Sequence, residues 1–156
     1  MSQKPTYGGK ASALRMAEAP LISTIVALAL TPVAFLFTHA FLSGRKGWGF
    51  HTMTGGVGVV WDLSLSIFYM VYRLIGGDVE GGVLDITPEM TAYFAVHGII
   101  AVVVIALELA MLTTGVMQLR SGSRSKWHSK LSAPLYGFWF AAFLSGELVY
   151  LVYYVL

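Results

Sequence analysis

Cysteine is absent from this chain of 156 residues, which excludes disulfides, thiolate metal ligands and cysteine nucleophiles together. Charge is scarce as well: Asp, Glu, Lys and Arg make up 12% of the residues, 56% are hydrophobic, and mean hydropathy is +0.71. That balance speaks against a soluble domain and fits the membrane class. The longest polar stretch is the N-terminal tail, residues 1–19, too short to build a core of its own. No phosphate loop, nucleophile elbow or HExxH helix is present, so an independent catalytic activity is not expected.

What the chain has instead is long apolar runs. Four of them, residues 21–43, 51–75, 88–118 and 133–156, reach or exceed the ~20 residues a helix needs to cross ~30 Å of hydrocarbon. The expectation is an all-α integral membrane protein, a four-helix bundle over residues 20–156. The first apolar run has full span length and no A-x-A site follows it, so it reads as a retained helix rather than a secretory signal. Pro20, Thr87-Pro88-Glu89 and Ser132 with Pro134 mark three helix starts, and Pro32 should kink the first span. Gly55, Gly56, Gly58, Gly98, Gly115, Gly137 and Gly146 are positions where helices could approach closely.

Lysine and arginine set the expected orientation. Arg45 and Lys46 lie in the first loop and Arg120, Arg124, Lys126 and Lys130 in the third, whereas the second carries Asp78, Glu80, Asp85 and Glu89 without a basic residue. Loops one and three should therefore be cytoplasmic, with Lys4, Lys10, Arg15 and Arg73 against the rule.

Three carboxylates lie deep inside the apolar runs: Asp62, Glu108 and Glu147. Ionisable groups at bilayer depth are costly and face a bundle interior or cavity. On this topology each stands ~15–21 Å from the cytoplasmic face, in one layer near the midplane. His39, His51 and His128 fall near the cytoplasmic boundary, and His97 enters span three from the other side. His51 to Asp62 and His97 to Glu108 are both eleven residues, three turns that return to within ~20° of one helix face. Spans two and three thus each present a polar stripe.

Three uses of these stripes stay open. Imidazole is a common ligand of haem iron, copper and zinc, so His51 with His128 or His39 could hold a metal at the membrane edge, with His97 a further ligand or relay candidate. Asp62, Glu108 and Glu147 could relay protons through a proton-conducting subunit. Alternatively the acids are buried glue, bonded to Ser64, Ser66, Thr113, Thr114, Ser145 or Tyr136 on neighbouring helices, in a cofactor-free structural subunit. Trp48, Trp127, Tyr150, Tyr153 and Tyr154 fit an interfacial belt, whereas Trp61, Trp139 and Phe140 lie deeper, as packing or as the face of a pigment site.

The run MTAYFAVHGIIA, the apolar span after it, the basic loop SRSKWHSK and the segment SAPLYGFWFAAFLSGELVYLVYY resemble a small prokaryotic membrane family of unknown function, number 420 among such domains. Its members occur with haem-copper oxidases and include oxidase maturation factors. The matching positions are His51, His97, His128, Pro134, Gly146 and Tyr150, over about two thirds of the chain; where the family shows a further histidine, this chain has Tyr72-Arg73. The resemblance implies a multi-pass protein of a prokaryotic cell membrane, an assembly factor or accessory subunit of a respiratory electron-transfer complex. It implies haem or copper as cofactor, with His51, His97 and His128 as ligands. The partners it implies are the lipid bilayer and other membrane subunits, not nucleic acid.

Overall fold

A computed structural model describes residues 20–47, 49–76 and 87–155. The tail with Lys4, Lys10 and Arg15, the second-loop acids Asp78, Glu80 and Asp85, and Trp48 lie outside the described residues, as does the side chain of Tyr153. Four helices follow one another: α1 (Leu21–Lys46), α2 (His51–Leu74), α3 (Pro88–Ser121) and α4 (Lys126–Tyr150), the last continued by one π turn, Leu151–Val155.

Helices α3 and α4 start on side-chain caps, the second of them earlier than expected. Thr87 accepts the Met90 backbone N–H at 3.3 Å and Pro88 takes the first helical position, as the sequence implies. Helix α4, however, starts at Lys126 rather than near residue 133. Ser125 caps it by accepting from the His128 backbone N–H at 3.4 Å, and Pro134 lies inside the helix. An earlier cap was available, and the bond that Pro134 cannot donate would have gone to Lys130, next to the polar end of the helix. Helix α1 runs unbroken through Pro32.

Three helices, α1, α2 and α3, are long and apolar enough to cross a membrane. Over its described residues α4 is not: Lys126, Lys130 and Glu147 and a high share of Trp, Tyr, Ser and Gly lower its hydropathy. Helix α1 packs on α2 and α3 on α4, and the two hairpins close into a ring through α1 against α4 and α2 against α3. Val33, Phe37, Val59, Leu63, Val104, Leu135 and Trp139 form the core. At its centre the Trp139 indole stacks on Phe37 at 4.7 Å and on Phe143 at 5.1 Å. Hydroxyl pairs join α1 to its neighbours: Ser23 to Tyr69, Thr24 to Tyr150 and Thr38 to Tyr136. The outward faces are apolar, with Leu28, Phe35, Val60, Phe68, Val96, Ile99 and Leu144 all exposed.

Candidate functional site

Every histidine is held through Nδ1 by the other helix of its own hairpin. His51 Nδ1 lies 2.8 Å from the Ala40 carbonyl, which can only accept, so Nδ1 is the donor. Thr114 donates its hydroxyl hydrogen to the Ala110 carbonyl at 2.8 Å, which leaves Oγ1 to accept from His128 Nδ1 at 3.2 Å. Ser145 likewise donates to the Ala142 carbonyl at 2.9 Å and accepts from His97 Nδ1 at 2.8 Å. Thr54 donates to the Phe50 carbonyl at 3.0 Å and accepts from His39 Nδ1 at 3.0 Å. With Nδ1 donating, a neutral imidazole at His51, His97 or His128 keeps its lone pair on Nε2.

Glycine makes room for three of these rings. A Cβ on Gly44 would stand 2.8 Å from His51 Cε1, one on Gly115 3.3 Å from His128 Cε1, and one on Gly146 3.2 Å from His97 Cε1. His128 and His97 therefore each meet a hydroxyl and the glycine after it, Thr114-Gly115 and Ser145-Gly146, whereas His51 meets the Ala40 carbonyl and Gly44, and His39 the Thr54 hydroxyl. The docking is reciprocal within each hairpin, α1 with α2 and α3 with α4. Of the glycines expected at helix contacts, Gly115 and Gly146 accommodate imidazoles instead, and Gly56, Gly98 and Gly137 have no neighbour within 4 Å. The sequence pattern of a Ser or Thr before Gly could have revealed this; its meaning depends on which helix stands opposite.

The structure brings His51 and His128 together and leaves His97 and His39 apart. His51 and His128 line a cavity of about 440 Å³ between the helices, at the end carrying the first and third loops. Their ring centres are 6.0 Å apart and their planes nearly perpendicular, at 89°. Phe37, Leu112 and Leu135 form the apolar depth, while Arg45 and Arg124 stand where α1 ends and α4 begins, two cations that sequence reasoning did not connect with the site. Among the described residues no three His, Asp or Glu side chains converge as a metal cluster, so His39 does not complete a set with His51 and His128. His97 docks on α4 through Ser145 and Gly146 and does not line this cavity.

His51 and His128 would be the residues to hold a metal or haem here, since their rings stand 6.0 Å apart and each Nδ1 is engaged on its own hairpin, leaving Nε2 to ligate. The lining is mixed, with Phe37, Leu112 and Leu135 beside Arg45, Gln118, Arg124 and Ser132, and the volume lies in the range of small-molecule pockets.

The carboxylates divide as well. Asp62 and Glu108 meet in the core, with the Trp139 indole N–H within reach of Asp62. Glu108 is wholly buried, at 0% exposure, and neither of its oxygens finds a donor. Glu147 is only half-buried and lies eight residues beyond Trp139 on α4, ~12 Å along the axis, so the three acids do not form one layer. The expected hydroxyl partners are mostly engaged elsewhere. Ser66 reaches Asp62 Oδ2 at 3.4 Å, whereas Ser64 and Thr113 bond their own helix, Thr114 and Ser145 hold histidines, and Tyr136 pairs with Thr38.

Compared with protein-family models, with curated proteins and with solved structures, the chain matches none.

Proposed function

We propose that this protein is a multi-pass accessory subunit or assembly factor of a respiratory electron-transfer complex, of the haem-copper oxidase type, in a prokaryotic cell membrane, and that His51 and His128 hold a haem or copper between them. The observation that carries this reading is the pair of imidazoles 6.0 Å apart across one cavity, each anchored through Nδ1. The resemblance of the chain around His51, His97 and His128 to the oxidase-associated family supports the complex, and the apolar outer faces of three helices support the membrane. Arg45, Lys46, Arg120, Arg124, Lys126 and Lys130 cluster at the cavity end, which supports a cytoplasmic side for that end.

The protein's own contribution is positioning. The Ala40 carbonyl and the Thr114 hydroxyl fix both ring tautomers, and Gly44 and Gly115 allow the rings to lie against the helix backbone. Haem or copper would supply one-electron redox chemistry at that point. Arg45 and Arg124 would balance negative charge on a bound group. His51→Ala and His128→Ala should each abolish cofactor retention and weaken complex assembly, while His97→Ala should leave the cofactor bound. Unchanged cofactor content and assembly in both cavity variants would overturn the reading.

A further inference from the structure

The cavity makes no use of the most deeply buried ionisable group in the chain. Glu108 is fully enclosed, and both its oxygens lack a hydrogen-bond donor, a condition an ionised carboxylate does not sustain in an apolar interior. The group beside it is the carboxyl of Asp62. No lysine, arginine or histidine among the described residues offsets either acid. From α1 the core presents Val33 and Phe37, and from α4 Leu135 and Trp139, of which only the indole is a donor. The donors are unequally shared: Trp139 and Ser66 face Asp62, and none faces Glu108.

We infer that Glu108 and Asp62 form a proton-binding site in the core, Glu108 carrying the proton and donating it to the Asp62 carboxylate. One proton resolves the orphaned oxygens, because a protonated carboxyl is itself a donor and Asp62 is the acceptor beside it. The unequal donors fix the direction: indole and hydroxyl stabilise charge on Asp62, and Glu108, without a donor, takes the proton. The site lies one helical turn below the floor of the His51–His128 cavity, since Val59 precedes Asp62 by three residues, Leu112 follows Glu108 by four and Leu135 precedes Trp139 by four. Glu147 stands outside it, so the site stores a proton rather than passing one along a row of three acids.

Infrared difference spectroscopy of the full chain in lipid nanodiscs tests this without reference to any cofactor. At neutral pH the wild type should show the carbonyl stretch of a protonated carboxylic acid that shifts on exchange into deuterium oxide. In Glu108→Gln that band should be lost. In Asp62→Asn it should persist at a changed frequency, because Glu108 keeps the proton and only its acceptor changes. A wild-type spectrum without a protonated carboxyl, a band left unchanged in Glu108→Gln, or a band lost in Asp62→Asn would each overturn the proposal. The wild-type spectrum decides by itself if a variant fails to fold.

Discussion

Adding one methyl group to Gly44 should destabilise the bundle, although alanine is the better helix former. In a helix interior Gly→Ala gains roughly 0.5–1 kcal/mol. That gain should be seen at Gly137, where a Cβ meets nothing within 4 Å. At Gly44 the same Cβ would come to 2.8 Å from His51 Cε1, against 3.4 Å for ordinary contact, so the ring must withdraw by about 0.6 Å. The ring is tied to the Ala40 carbonyl at 2.8 Å, and a withdrawal of that size stretches the bond towards its limit. Losing it costs ~0.5–1.5 kcal/mol and crowding costs ~1–3 kcal/mol, so after the helix gain the net effect is a loss of ~0.5–4 kcal/mol. Gly115→Ala, with its Cβ at 3.3 Å from His128, should fall between the two. Thermal unfolding followed by far-ultraviolet circular dichroism in one detergent should rank the variants Gly137→Ala, Gly115→Ala and Gly44→Ala from most to least stable. A Gly44→Ala protein as stable as Gly137→Ala would refute the docking of His51 on that glycine.

Trp139→Ala should cost ~3–5 kcal/mol, because an indole at 2% exposure, stacked between Phe37 and Phe143, leaves a cavity that three helices cannot close; denaturant titration reads the loss. Phe50→Gly should gain about 1 kcal/mol in the same titration, since Phe50 holds φ at 65° immediately before α2 and its side chain is 72% exposed. Ser145→Ala should cost ~0.5–1.5 kcal/mol by removing the acceptor of His97 Nδ1, and should leave any absorbance of the His51–His128 site unaltered.

Much of the architecture was legible in the sequence because apolar length and capping residues act locally. The starts of α1, α2 and α3 fall where Pro20, His51 and Thr87-Pro88 place them. The start of α4 was misplaced because Ser132-Pro134 mimics a cap signal that Ser125 satisfies seven residues earlier. Depth along a helix was also readable, and it brought His51 to the level of His128 and Asp62 to the level of Glu108. It failed for Glu147 because an assumed start at residue 133 shortened the distance along α4. What could not be read was rotation between helices. Whether Thr114 faces an acid or a histidine depends on how α4 turns against α3, and no spacing within α3 encodes that. Thr114-Gly115 and Ser145-Gly146 carried the missing information for α3 and α4, but a glycine in a span signals close approach without saying to what.

Native purification of the protein, with an absorbance spectrum and haem and metal analysis of the same sample, bears most directly on the central proposal. A His51–His128 site should retain close to one haem or one copper per chain, and the preparation should carry electron-transfer subunits with it. A colourless, metal-free bundle purified from its own membrane would contradict the proposal and leave the cavity histidines as a packing feature of two hairpins.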